Sequence, residues 1–188
     1  MTADALHALD VGVALRLAES PVADFRTLAD DLSLSVSTAH AAVKRLKLAG
    51  LVRPSSAGIG TVNRHALLEF LEHGVRYAFP AAAGAPTRGV PTAHAGPVFA
   101  GEMDPSEALV WEDPQGTVEG RALAPMLPRA GRLAERAPGT YALLTAVDAL
   151  RVGRARERDI ARRYIRRVLN VQPPRRSPRW TGARVRPA

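Results

Sequence analysis

The side chains with the clearest chemical potential lie in one acid-free stretch of the chain, from Ser33 to Leu68. Hydroxyl, imidazole and ammonium groups recur there at helical spacing, at Ser37, His40 and Lys44. Such groups exchange hydrogen bonds with polar ligands, and without neighbouring carboxylates they create a local positive potential. This combination favours recognition of a nucleic acid, through hydrogen bonds to base edges and ion pairs with phosphates.

Catalytic and metal-binding patterns are missing from the sequence. There is no cysteine, and none of the five histidines is paired with a carboxylate at metal-ligand spacing. The Gly58-Ile59-Gly60 run lacks the third glycine of a dinucleotide-binding loop, because Asn63 stands there. Walker and nucleophile-elbow motifs are also absent. The sequence therefore predicts no cofactor, no metal site and no enzyme, although an unrecognised active site in residues 77–170 stays open as an alternative.

Two helices joined by a short turn are predicted to position the polar groups. The apolar spacing indicates a helix over residues 25–32, a turn at 33–35, and a second helix over 36–49 that Ser35 caps and Gly50 closes. Three apolar residues of the second helix, Ala39, Val43 and Leu46, would pack inward. The face turned outward is then small, polar or cationic, and consists of Val36, Ser37, His40, Ala41 and Lys44. Such a face can enter the major groove of duplex DNA.

Further elements surround this pair of helices. An apolar stripe over residues 3–18 predicts a preceding helix with more than one buried face. Residues 51–53 and 59–62 are typical of two short strands that form a ribbon, and residues 64–74 of a helix that closes the first unit near Arg76. The sequence thus predicts a first domain over residues 1–76.

The order of these motifs resembles the winged helix-turn-helix regulators of the MarR, IclR and Lrp kinds. The resemblance covers residues 6–76 and lies in four runs: Leu28-Ala29, Leu34 to Thr38, Val43 to Leu46, and Ala49 to Val52. It implies that the helix over residues 36–49 reads the major groove and that the ribbon lies along the neighbouring backbone. The chain departs from the pattern at Ala39, where valine is usual, and at the ribbon tip, which lacks an arginine for the minor groove.

The resemblance also implies a set of DNA-binding residues. It places Ser37, Thr38, His40 and Lys44 at bases or nearby phosphates, together with Ser35 at the start of the helix. It places four further cations mainly at phosphates: Arg45, Lys47, Arg53 and Arg64. A three-helix unit used only for protein contacts is the alternative interpretation of the same segment.

The second half of the chain is predicted to be helical and less directly informative. Five prolines and four glycines between residues 80 and 105 indicate a linker or extended loop over 77–108. A hairpin is predicted at 109–119 around Asp113-Pro114-Gln115-Gly116, followed by helices over 140–152 and 154–169 in an interaction or dimerisation region, 109–170. Residues 151–188 hold 13 basic and two acidic side chains, and residues 171–188 are expected to form a disordered basic tail.

The sequence as a whole predicts a mainly α protein with small antiparallel β elements, an N-terminal winged helix-turn-helix and a C-terminal helical domain. We expect a cytoplasmic, dimeric transcriptional regulator that binds double-stranded DNA. Residues 77–80, 87–92 and 147–154 also resemble small bacterial winged-helix proteins that accompany a nucleotidyltransferase-like partner. That resemblance implies the alternative role of an antitoxin-like module that binds and controls a partner protein.

Overall fold

The computed structural model describes residues 5–55, 58–102 and 107–171, and within them the chain is mainly helical with two small β-sheets. The coarse prediction of a mainly α protein with small β elements is confirmed. The helices of the described part are α1 (Ala8–Glu19), α2 (Phe25–Leu32), α3 (Val36–Leu48), α4 (Arg64–Glu69), α5 (Val75–Ala78), α6 (Leu133–Arg136), α7 (Pro138–Val152) and α8 (Ala155–Leu169). Its strands are β1 (Val52–Arg53), β2 (Thr61–Val62), β3 (Pro86–Thr92), β4 (Leu109–Glu112) and β5 (Val118–Ala122).

Local capping groups set the ends of α2 and α3. The backbone N–H of Thr27 donates to Asp24 Oδ1 at 2.8 Å, which caps α2. Ser35 caps α3 as predicted, because its Oγ accepts from the N–H of Thr38 at 3.0 Å. Gly50 follows α3 with φ +73°, a left-handed conformation that glycine adopts without steric cost. The sequence signals for this helix pair are therefore confirmed at both ends of α3.

The predicted ribbon is present and leads into a long helical segment. β1 and β2 pair antiparallel, with Val52 opposite Val62. Helix α4 then continues through a π-helical turn, Phe70–Gly74, into α5. The helical segment therefore ends at Ala78, four residues beyond the predicted end.

The segment predicted as a linker or extended loop instead contains a strand. β3 occupies Pro86–Thr92 and pairs with both β4 and β5. Pro86 is tolerated because it begins the strand. The carbonyl of Pro91 accepts a hydrogen bond from the hydroxyl of Tyr141 at 2.7 Å. A high proline and glycine content therefore concealed an ordered element.

The predicted hairpin of β4 and β5 is wrong. Both strands are antiparallel to β3 and therefore parallel to each other, and the three strands close into a small barrel. Gly89 lies opposite both Glu112, the last residue of β4, and Val118, the first residue of β5. The connection between β4 and β5 therefore crosses over β3 at Gly89. A Cβ on Gly116 would come within 2.4 Å of Gly89, so this crossing depends on two glycines.

Helix α7 joins the two halves of the molecule. It packs against α1, α5, α6 and α8, and every residue from 143 to 150 is buried. The buried apolar side chains of both halves belong to one continuous cluster, and the Thr140 hydroxyl donates to the Glu19 carboxylate across α1 and α7. The apolar surface of α1 is therefore covered within the chain. The proposed division into domains at residue 76 stays a prediction.

A buried polar network fastens the barrel to α7. Asp148 is fully buried, and its Oδ2 accepts from Thr92 Oγ1 at 2.8 Å and from Trp111 Nε1 at 2.7 Å. Its Oδ1 accepts from Arg151 at 2.6 Å. Burial raises the pKa of Asp148, and the charge of Arg151 and these hydrogen bonds oppose that rise.

The predicted basic tail begins at the buried Val171, and from residue 172 onward it lies outside the described residues.

Candidate nucleic-acid interface

Helix α3 has one buried face and one exposed face. Ala39, Ala42, Val43 and Leu46 are buried on the side that packs against α1 and α2. The exposed face carries Val36, Ser37, His40, Ala41 and Lys44, and Leu48 is exposed at the helix end. This division of the helix confirms the inward and outward faces predicted from the apolar spacing. The outward face combines small side chains with hydrogen-bonding groups and one cation.

Three hydroxyl groups cluster at the first turn of α3. Ser35 Oγ lies 2.9 Å from Ser37 Oγ and 2.7 Å from Thr38 Oγ1, in addition to capping the helix. Ser35 and Thr38 therefore stabilise the helix start, whereas Ser37 stands on the outward face. Ser35 and Ser37 are both exposed, so a ligand at this turn can reach either hydroxyl.

The imidazole of His40 is held by a ring from the neighbouring helix. Phe25, the first residue of α2, stacks on His40 with ring centroids 3.5 Å apart and planes inclined by 18°. His40 remains exposed, so its ring nitrogens can reach a ligand while the stacking fixes the plane of the ring. The sequence analysis did not identify Phe25, because the contact crosses from α2 to α3.

Arg45 does not face solvent and has to be removed from the predicted phosphate contacts. Its Nε and NH2 atoms donate to Oδ2 and Oδ1 of Asp10 at 2.8 and 2.7 Å. The Asp10 side chain is completely buried and that of Arg45 is 11% exposed. The carboxylate of Asp10 raises the pKa of Arg45 still further. This bidentate ion pair links α1 to α3 and is a structural contact.

Arg64 also serves the interior of the fold. Its guanidinium donates to the carbonyl of Ala18 at 2.7 Å and to that of Val168 at 3.3 Å. Both carbonyls lie in the last turn of a helix, where carbonyl groups lack partners within their own helix. The predicted phosphate contact of Arg64 is therefore replaced by a link between the ends of α1 and α8.

Two of the predicted cations remain on or near the ribbon. Arg53 is exposed in β1, and Thr61 lies directly opposite it in β2. Lys47 is half-buried, and its Cε passes beside Gly60, where an added Cβ would lie only 3.3 Å away. The tip of the ribbon includes residues 56–57, which lie outside the described residues. Lys44, Lys47 and Arg53 thus supply positive charge around an acid-free α3.

The structure adds cations that the sequence analysis did not single out. Arg129, Arg132 and Arg136 line an open groove of about 380 Å³ together with the turn between α2 and α3. Their spacing of three and four residues is a signal that could have placed them on one side of a helical segment. No local pattern, however, indicates that this side faces the turn at Ser33–Ser35.

Within residues 5–55, 58–102 and 107–171, no group of three or more histidine, aspartate or glutamate side chains is arranged to hold a metal ion. No helix among those residues has the length and apolar character needed to cross a membrane. No protein-family model, curated protein or solved structure matches the chain.

Proposed function

We propose that the protein is a sequence-specific DNA-binding transcriptional regulator whose first unit, α1 to α5, is a winged helix-turn-helix. The observation that carries the proposal is the outward face of α3, which presents Ser37, His40 and Lys44 without an acidic neighbour on the same helix. The proposed role is binding, without catalysis by this chain. The cytoplasm is the proposed location of that activity.

The dimensions and chemistry of α3 suit the major groove. An α-helix with its side chains is about 10–12 Å across, and the major groove of B-DNA is about 12 Å wide. Val36 and Ala41 are small enough to let the helix approach closely, while His40 and Lys44 can donate to acceptor atoms such as N7 and O6 of guanine. The stacking of His40 on Phe25 supports this role, because an oriented side chain loses less entropy on binding.

The ribbon is proposed to contact the DNA backbone beside the groove. Arg53 is exposed in β1 and Lys47 lies at the base of the ribbon, so both can neutralise phosphates without reading bases. The proposed interface is therefore Ser37, His40, Lys44, Lys47 and Arg53. Ser35 and Thr38 support it from the first turn of α3.

We also propose that two copies of the chain bind one DNA site. The reason is functional, because one recognition helix reads too few base pairs for useful specificity. Light scattering at micromolar concentration tests the proposal directly, and the expected result is twice the mass of the 20.1 kDa chain. A monomer that remains monomeric on its DNA site would contradict it.

A second candidate function is the binding of a partner protein, in the manner of an antitoxin-like module. The observation that favours it is a broad cavity of about 940 Å³ between the β4–β5 loop and the segment around α6. Its lining mixes acids such as Glu112 and Glu135 with Arg132 and the ring of Tyr141. A mixed polar and aromatic lining suits a protein partner, such as a nucleotidyltransferase-like protein.

A mobility-shift experiment with the DNA upstream of the protein's own gene separates the two candidates. The regulator proposal predicts a shifted band that competitor DNA of random sequence removes only at large excess. Equal competition by the specific and the random duplex would contradict sequence-specific binding. Purification of the tagged chain from its native cells, with and without nuclease, would then show whether a protein partner is bound independently of DNA.

A further inference from the structure

The arginines that follow β5 form a cluster beside the start of α3. Arg129, Arg132 and Arg136 are all exposed, and they line one groove with Ser33, Leu34 and Ser35 of the turn between α2 and α3. Asp30 is the one acid among the eight residues that line this groove, so the groove carries a net positive charge. The same three arginines also line the neighbouring cavity, whose lining includes Glu112, Asp113 and Glu135. Segments separated by about 100 residues thus meet at the end of the proposed recognition helix.

The fold positions this cluster firmly. Arg136 belongs to α6, which packs against α2, and its guanidinium donates to the carbonyl of Asp30 at 3.1 Å. Arg129 has a left-handed backbone with φ +57° at the start of the 3-10 turn that carries Arg132. Leu133 and Ala137, which flank Arg136, are buried and hold the segment to the core. The backbone behind the three charges is therefore anchored on both sides.

Two of the three guanidinium groups have no partner among the residues that the structure describes. Within the described residues, the side chains of Arg129 and Arg132 make no hydrogen bond or ion pair, whereas Arg16, Arg45, Arg64, Arg151 and Arg166 are all paired. A guanidinium group has five N–H donors in a planar fork that matches the oxygens of a phosphate. Two unpaired forks beside an anchored third therefore form a site suited to phosphate.

We propose that Arg129, Arg132 and Arg136 bind the phosphate backbone of DNA next to the groove that α3 enters. This inference rests on the proposed function and extends it, because it gives the C-terminal half of the chain a direct role in DNA binding. The α3 face then reads bases, and the arginine cluster fixes the position of α3 along the duplex. A phosphate contact of this kind contributes affinity at every DNA sequence and leaves sequence preference unchanged.

The test compares variants with equal loss of charge. The double variant Arg129→Gln, Arg132→Gln removes the two unpaired guanidinium groups and leaves Arg136 in its contact with Asp30. The matched control, Arg76→Gln, Arg163→Gln, removes two exposed arginines from α5 and α8, which pack against α7. A third variant, Arg129→Lys, Arg132→Lys, keeps the charge and loses the planar fork.

The readout is the salt dependence of binding to a short duplex of random sequence, together with the selected DNA site. We expect the glutamine variant to reduce the slope of log K against log salt by about 0.9 for each lost contact, or about 1.8 for both. The ratio of specific to random affinity should stay the same. The lysine variant should recover the slope, and the control should keep both the slope and the affinity.

Failure of this inference can be distinguished from failure of the proposed function. If the wild-type chain and the control bind DNA and the glutamine variant binds with the same affinity and slope, the cluster is not a DNA contact and the proposal is overturned. If the wild-type chain itself does not prefer any DNA sequence, the proposed function fails first. Circular dichroism of each variant establishes that a loss of binding is not a loss of fold. Binding of inorganic phosphate to the cluster, with DNA binding unchanged, would assign the groove to a free anion and would also overturn the proposal.

Discussion

Helices α3 and α7 both carry polar side chains among apolar ones, but those on the outward face of α3 are exposed to solvent and those of α7 are buried. On α3, His40 and Lys44 face solvent. On α7, Thr140, Thr145 and Asp148 are all fully buried. The two helices are similar in length, so the difference lies in what surrounds them.

The comparison separates polar groups that maintain the fold from those available to a ligand. Each buried polar group of α7 has an internal partner: Thr145 donates to the carbonyl of Ala142, and Asp148 accepts three hydrogen bonds. Lys44, in contrast, has no hydrogen-bond partner among the described residues. Because unpaired buried polar groups are costly, the buried polar positions of α7 should tolerate substitution poorly, whereas the exposed face of α3 should tolerate it without loss of stability.

The largest effect on stability is expected at Asp148. Asp148→Ala removes the acceptor shared by the hydroxyl of Thr92 and the indole N–H of Trp111. It also leaves the guanidinium of Arg151, which is 5% exposed, with carbonyl partners and no counter-charge. Loss of one partner of a buried ion pair costs about 3–5 kcal/mol. Urea unfolding measures the difference. Asp159→Ala is the control, because that carboxylate is 61% exposed in its pair with Arg162 and should contribute at most about 1 kcal/mol.

A second, smaller loss of stability is expected within α3 itself. It distinguishes the cation of α3 that is paired inside the fold from the one that is exposed. Arg45→Ala leaves the fully buried Asp10 unpaired and should destabilise the protein by about 2–4 kcal/mol. Lys44→Ala, one residue earlier on the exposed face, should change stability by no more than about 0.5 kcal/mol. The free energies of unfolding of the two variants test the division, and similar values would show that the exposed face also maintains the fold.

Deletion of the basic tail tests whether contacts outside the α3 face contribute DNA affinity that does not depend on the DNA sequence. Five arginines lie in residues 172–188 without an acidic neighbour. Deletion from residue 172, which keeps the buried Val171, should lower the affinity for specific and random duplexes by a similar factor. The salt dependence should flatten by about 0.9 for each arginine that contacts a phosphate. Selective loss of the specific site would instead mean that the tail reads bases.

The smallest effect concerns the cap of α2 and depends on pH. The N–H of Thr27 donates to Asp24 and lowers the pKa of Asp24 below its ordinary value of 3.8. Since the folded-state pKa is the lower one, the stability from this carboxylate is present above about pH 4 and is lost as the pH falls through the folded-state pKa. The stability difference between the wild type and Asp24→Ala should disappear in acid. Asp24→Asn, which also caps helices but does not titrate, should show no such change with pH.

Local signals explain why α3 was predicted well. A capping serine, an apolar period of 3.6 and a glycine after the last turn act within one helix, so Ser35, Val43 and Gly50 were sufficient to define its ends and faces. The outward positions of His40 and Lys44 follow directly from that periodicity.

The errors arose where the partners are distant in sequence. Arg45 pairs with a residue 35 positions earlier, and Arg64 reaches the carbonyl of Val168, 104 positions later. β3 was concealed by its prolines, and its pairing with β4 and β5 depends on contacts that no local pattern reports. The groove at Arg129 and Arg132 was missed for the same reason, since a segment far along the chain completes it.

The most direct test of the account is a selection of bound sequences from a random DNA pool by the wild type and three single variants. His40→Ala and Lys44→Ala should each relax the preference at particular base pairs, by about 1–3 kcal/mol of discrimination. Arg53→Ala should weaken binding to all sequences by a similar factor, since it is proposed to contact phosphate. Uniform losses in all three variants, or a wild-type chain that enriches no sequence, would contradict the assignment of the α3 face as the surface that reads DNA.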